Sequence, residues 1–187
     1  MSDEKLHHEV LIAGFGGQGV VLAGRILAGA ALSEGREVVW TPSYGPEMRG
    51  GAVHCTVIIS SERIGSPEVS LADTLMVMDR ASLDRFAARV KPGGLMVLNS
   101  SLIPDHPNED QYQVLRIPAN EAAESIGEPR VANVIMLGAF LRARPVLSTD
   151  SVLAAMSELV GKGREKVIAV NREALARGGE MAVEVGD

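Results

Sequence analysis

Cysteine is almost missing from this 187-residue chain: Cys55 stands alone. One thiol cannot close an intrachain disulfide, complete a cysteine-based zinc site or supply the ligand set of an iron–sulfur cluster. Aromatic residues make up 3% of the chain, which leaves little surface for stacking nucleobases. Basic residues are the minority, 18 Lys and Arg against 24 Asp and Glu, and the net charge is −6. That balance argues against nucleic-acid binding through bulk charge. No apolar run reaches the roughly 20 residues that span a bilayer. Residues 1–9 are polar and charged, unlike a signal peptide. Together these absences lead to the expectation of a soluble, cytoplasmic protein with neither a membrane nor a nucleic-acid partner.

What is present is small and apolar. Apolar residues are 46% of the chain, with 20 Gly and 8 Met. A chain of this length can bury one core without staples, so a single domain over 1–187 is expected, with loose ends at 1–8 and 180–187. Strands are predicted at 9–13, 37–41, 52–60, 74–78, 95–99 and, more weakly, 113–117. Helices are predicted at 20–32, 82–89, 120–126 (capped by Asn120), 133–141, 150–160 and 164–177, the last stopped by Gly178-Gly179. Ser148-Thr149-Asp150 supplies cap candidates for the fifth helix. Lys91-Pro92-Gly93-Gly94 reads as a turn. No crossover helix fits between the second and third strands, so the third should run antiparallel to a neighbour. The expected class is α/β, three-layered, with a mixed, mostly parallel sheet and a Rossmann-like start.

Gly14-Phe15-Gly16-Gly17-Gln18-Gly19 matches G-x-G-x-x-G between a strand and a helix, which is the required context. Glycines let backbone amides approach an anion, and the helix N-terminus adds partial positive charge. A phosphate is the usual guest; a tight turn with no ligand gives the same pattern. A nicotinamide site also needs an acid at the end of the second strand to hold the ribose. That strand ends Val39-Trp40-Thr41-Pro42, without a carboxylate. A methyltransferase reading lacks the same acid. Gln18 can either donate to an anion or pin the next loop.

A second dense stretch follows at Ser43-Tyr44-Gly45-Pro46-Glu47-Met48-Arg49-Gly50-Gly51. It lies at the same sheet edge as the glycine loop. It reads either as an ordered surface loop with a Glu47–Arg49 pair, or as a recognition loop. In the second case Arg49 takes a phosphate or carboxylate, and Ser43 and Tyr44 donate hydrogen bonds.

Other residues tempt less. His54 and Cys55 are adjacent on a strand and point to opposite faces, so core packing is preferred to a catalytic pair. Asp73 and Asp79 flank the fourth strand, where capping explains them as well as a site does. His106 lies in a turn-rich loop, and His7-His8 reads as a tail. Met76, Met78, Met96 and Met136 read as core filler. Trp40 either seals the second loop or meets a partner.

The two loops together, with the small-residue helix after the first, resemble the gamma subunit of 2-oxoacid:ferredoxin oxidoreductases. The same unit is an internal domain of single-chain pyruvate:ferredoxin oxidoreductases. Ala72-Asp73, the Pro92-Gly93-Gly94 turn and the 133–138 segment (NVIMLG) extend the resemblance over roughly 9–160. It implies a complex that oxidatively decarboxylates a 2-oxoacid, such as 2-oxoglutarate or pyruvate, to an acyl-coenzyme A and reduces ferredoxin. It also implies alpha, beta and delta partner subunits, which carry thiamine diphosphate, magnesium and iron–sulfur clusters. The gamma unit would bind none of these tightly and would lie near the coenzyme A path. Gly14, Gly16, Gly17, Gln18, Gly19, Ser43, Tyr44 and Arg49 are the expected cofactor-facing residues, with no catalytic group and no metal ligand in the chain. Two other readings stay open: a stand-alone nucleotide-binding oxidoreductase, and a purely structural subunit. A homodimer of the isolated chain is a further expectation.

Overall fold

The computed structural model describes residues 5–43, 52–104, 110–161 and 163–184. Tyr44, Arg49 and His106 lie outside them. Six strands are formed: β1 (His7–Phe15), β2 (Glu37–Pro42), β3 (Ala52–Ser60), β4 (Ala72–Val77), β5 (Val90–Asn99) and β6 (Gln113–Ile117). The helices are α1 (Val20–Ser33), α2 (Arg80–Phe86), α3 (Ala119–Ile126), α4 (Ala132–Ala143), α5 (Thr149–Val160) and α6 (Glu165–Glu184). The sheet order is β2-β3-β1-β4-β5-β6. β1, β4, β5 and β6 run parallel; β3 is antiparallel to β2, as the short 42–51 connection requires, and also to β1.

Alternation along β1 sorts the core into two layers. Val10 and Ile12 face α1 and α3–α6, whereas Leu11 and Ala13 face α2 with Leu83 and Phe86. The expected three-layer α/β fold with a mixed, mostly parallel sheet is therefore what forms. The Rossmann-like start has one departure: β3 separates β2 from β1, so the end of β2 does not flank the glycine loop directly.

Four local expectations need correction. Lys91-Pro92-Gly93-Gly94 is part of β5, not a turn before it. The β4–β5 register jumps from Ala72↔Val90 to Thr74↔Leu95, so the extra residues are absorbed as a bulge. Asn120 does not cap α3. Pro118 holds that position with no side-chain cap, and the Asn120 carboxamide accepts from Asn99 Nδ2 at 2.8 Å instead. Helix α6 does not stop at Gly178-Gly179 but continues to Glu184. Gly178 serves a helix crossing with Gly138: a Cβ on Gly178 would run into the carbonyl of Ile135, and one on Gly138 into that of Leu175. At these two glycines α4 and α6 meet backbone to backbone. Finally, the ends expected to be loose hold ordered elements at His7–His8 in β1 and at 180–184 in α6.

The fifth-helix caps are confirmed in one residue: Ser148 Oγ accepts from Ser151 N at 3.1 Å. Its own amide donates to Glu34 Oε1 at 2.7 Å, which ties the end of α1 to the start of α5. Among the described residues, no helix is long and apolar enough to cross a membrane.

Candidate functional site at the C-terminal edge of the sheet

The parallel strands end at one edge, where the glycine loop turns from β1 into α1. Gly17 has φ 102° and Gly19 φ 76°, conformations that an L side chain rarely adopts. Gly19 is the N-cap of α1, and it has no side chain to satisfy the first-turn amides. Phe15, Gly16 and Gly17 are exposed, while Gln18 and Gly19 are half-buried. The loop thus presents glycine backbone and an uncapped helix N-terminus to the outside, which is the arrangement that attracts an anion.

Three carboxamides fix that shape. Gln18 Oε1 accepts from Phe15 N at 2.9 Å and its Nε2 donates to the Met78 carbonyl at 3.4 Å. Of the two roles open to Gln18, pinning the next loop is the one formed. Asn99 Nδ2 donates to the same Met78 carbonyl at 3.1 Å, while its Oδ1 accepts from Ala119 N at 3.2 Å. Asn133 Nδ2 donates to the Gly19 carbonyl at 3.1 Å. Asn99 is fully buried and Asn133 is 3% exposed. Neither is among the residues expected at the site from the sequence. Each bounds an apolar run in the sequence, a pattern that strand-end solvation and helix starts give as well.

Ser43 joins this edge through its backbone. Its amide donates to His54 O at 2.9 Å, and His54 pairs with Ala13. The structure thus brings Gly14, Gly16, Gly17, Gln18, Gly19 and the start of the Ser43 loop to one side of the sheet. Asp79 is there too, as the N-cap of α2, accepting from Ser82 N at 3.0 Å and Ser82 Oγ at 2.9 Å. Asp73 is not: it lies at the opposite edge, held by Glu9 N at 2.8 Å and Lys91 Nζ at 2.7 Å. A groove of about 860 Å³ opens beside the first turn of α1, lined in part by Leu22, Asn133, Val134, Arg164, Lys166 and Val170.

His54 and Cys55 do face opposite ways. Cys55 Sγ approaches the Val20 carbonyl at 3.4 Å beneath α1, and burial pushes its thiol up to about 12, so it is a core group and not a nucleophile. His54 packs against Phe86 in a tilted arrangement, with ring centroids 4.7 Å apart. Burial, with Arg89 and Arg85 nearby, holds its imidazole below the ordinary value. Trp40 is half-buried against Gly24, where a Cβ would lie 2.9 Å from its Nε1. It therefore seals the helix–sheet contact. Met76, Met78, Met96 and Met136 are all core residues. His7 and His8 belong to β1 and not to a loose tail; His8 Nε2 lies 3.0 Å from Thr74 Oγ1. Among the described residues no group of three His, Cys, Asp or Glu side chains is placed to hold a metal ion.

Residues 9–181 match the family model for pyruvate ferredoxin/flavodoxin oxidoreductase. The chain is 40% identical over 173 residues to ketoisovalerate oxidoreductase subunit VorA of Methanothermobacter marburgensis, covering 92% of this chain and 36% of that protein. It therefore spans only about a third of the length of that relative. Among solved structures, it superposes on the gamma subunit of a keto/oxoacid ferredoxin oxidoreductase from Geobacter sulfurreducens with a TM-score of 0.80. That pair is 33% identical, and the match covers 95% of this chain and 99% of the other. It also matches 31% of a 2-oxoglutarate:ferredoxin oxidoreductase chain from Magnetococcus marinus, solved with 2-oxoglutarate, coenzyme A and succinyl-CoA bound. There 95% of this chain is covered, with a TM-score of 0.87 and 25% identity.

Proposed function

The chain belongs to the pyruvate ferredoxin/flavodoxin oxidoreductase family, as a gamma subunit of a 2-oxoacid:ferredoxin oxidoreductase, and from that premise we propose that its glycine-loop edge lines the coenzyme A path of the assembled enzyme. The observation that carries this is the exposed Gly16-Gly17 backbone over an uncapped helix N-terminus, held in shape by Gln18, Asn99 and Asn133. Such a cradle suits a phosphate of coenzyme A: it offers backbone N–H donors, and the Asp79 carboxylate at the same edge is taken up by Ser82 at the start of α2. The coenzyme A bound in the Magnetococcus enzyme supports the choice of ligand.

The other cofactors belong in partner subunits. A chain whose one cysteine is buried under α1 cannot supply the thiolates of a cluster. Thiamine diphosphate with magnesium would accept the oxoacid in the alpha and beta subunits, and clusters in the beta and delta subunits would pass electrons to ferredoxin. In this reading the chain's own work is to bind and orient the acyl acceptor and to shape the cleft between subunits. Relatives act on ketoisovalerate and on 2-oxoglutarate; the choice between such oxoacids is assigned to the partner pockets.

A stand-alone nucleotide enzyme is disfavoured by the sheet order. The ribose-binding acid missing from the end of β2 would in any case be one strand removed from the glycine loop. The test is Arg49→Ala in the assembled complex. If the second loop meets coenzyme A, its KM for coenzyme A rises about tenfold or more while the oxoacid KM holds, as expected for loss of a charge-assisted contact. An unchanged coenzyme A KM in an intact complex removes Arg49 from the site, and loss of assembly favours the structural-subunit reading.

A further inference from the structure

We propose that Asn133, in the first turn of α4, is a positioning residue that aims the first amides of α1 at the anion bound by the glycine loop. The proposal rests on the coenzyme A reading of that loop given above.

The geometry begins with one peptide plane. The Gly19 carbonyl and the Val20 N–H belong to the same trans peptide and point in opposite directions. Whatever holds the carbonyl therefore sets the direction of that N–H. Two donors hold it: Ala23 N at 2.9 Å, which starts the helix, and Asn133 Nδ2 at 3.1 Å. The first is intrinsic to α1. The second comes from 114 residues further along the chain and is 3% exposed, so its direction is set by the packing of α4.

Gly19 and Asn133 are also fitted to each other sterically. A Cβ on Gly19 would overlap Asn133 Nδ2 and come within 2.9 Å of its Cγ. The absence of a side chain at Gly19 is thus required twice, by its left-handed backbone and by the carboxamide that occupies the space. An ordinary helix N-cap reaches forward with its own oxygen and occupies a first-turn amide. Here the loop is instead held from behind, through a carbonyl, by a residue of another helix. The first turn is left without a side-chain cap while the direction of its leading amide is fixed. Gln18 complements this from the other side by pinning Phe15 N and the Met78 carbonyl. The loop is preorganised before a ligand arrives, so binding loses less conformational freedom.

The test compares four variants in the assembled enzyme. Asn133→Ala removes the donor, and the expected result is a coenzyme A KM raised about tenfold, with kcat within about twofold and the oxoacid KM unchanged. Asn133→Asp is nearly isosteric, and a carboxylate in the first turn of α4 is favoured by the helix dipole, so it keeps the fold testable if the alanine variant fails. It loses the donor and adds a like charge beside the anion, so its coenzyme A KM should rise at least as far. Ile135→Val, fully buried on the same helix, should lower Tm and leave the coenzyme A KM alone. Gly17→Ala strains the loop directly and should raise the coenzyme A KM. If Gly17→Ala raises it and the Asn133 variants do not, Asn133 has no positioning role. If Ile135→Val and Asn133→Ala raise it equally, the effect is general destabilisation and the proposal fails. If Gly17→Ala leaves it unchanged, the coenzyme A reading of the loop has failed, and the proposal with it.

Discussion

The two edges of this sheet are built from different chemistry. At the C-terminal edge, neutral carboxamides do the fixing: Gln18, Asn99 and Asn133 each bond to backbone. At the N-terminal edge, ionised groups satisfy one another. Lys91 Nζ lies 2.7 Å from Asp73 and 3.0 Å from Glu9, and Asp73 also accepts from Glu9 N. His8 sits in that cluster against Thr74 and the Phe140 ring. The contrast teaches where an anion can be received. The side chains that bond the glycine loop itself carry no charge, and the Asp79 carboxylate at that edge is taken up by Ser82, so the loop offers its backbone dipoles. At the other edge Glu9 and Asp73 are already paired with Lys91, and an incoming anion would meet both carboxylates.

Substitutions should separate the edges. The largest effect is expected for Gly19→Ala, which forces a side chain into a left-handed conformation and onto Asn133. It should cost about 2–3 kcal/mol in denaturant unfolding and also weaken coenzyme A use. A Gly19→Ala protein with unchanged stability would show that the loop is not held as described. Next comes Asp73→Ala, which orphans the Glu9 amide and half of the Lys91 contacts. A loss of about 1–3 kcal/mol is expected, with kcat and the coenzyme A KM preserved in the assembled complex. Altered kinetics at equal assembly would break the division between a structural and a functional edge.

The smallest effect concerns acid. Burial lowers the His8 imidazole below its ordinary 6.5; Asp73 and Glu9 pull it back up, and Arg144 and Lys91 push it further down. The unfolded chain therefore binds this proton more readily than the native one. The stabilisation is complete above pH 6.5 and is lost as pH falls toward the native value. His54, also lowered, has the same sign at the other edge. His8→Asn should flatten part of the acid limb of a stability–pH curve and leave the rest to His54. An unaltered acid limb would remove His8 from the balance.

Much of this was legible in the sequence because it follows from local rules. The glycine loop sits between a strand and a helix, β3 had no room for a crossover, and alternation put His54 and Cys55 on opposite faces. What escaped depends on contacts between distant segments. Gly178-Gly179 has the composition of a helix stop, and only the meeting with α4 reveals why a side chain is excluded at Gly178. The 91–94 bulge follows from pairing with β4, and Asn133 acquires its role from a loop 114 residues away. The insertion of β3 between β1 and β2 is likewise a matter of sheet order, which strand spacing alone does not specify.

The most direct test is hydrogen–deuterium exchange of the assembled complex with and without coenzyme A. Protection should appear in peptides covering the glycine loop and the first turn of α1, residues 14–22, and not in those covering 7–9, 73 and 90–92 at the opposite edge. An unprotected glycine loop at saturating coenzyme A, or equal protection at both edges, would contradict the assignment of this edge to the acyl acceptor.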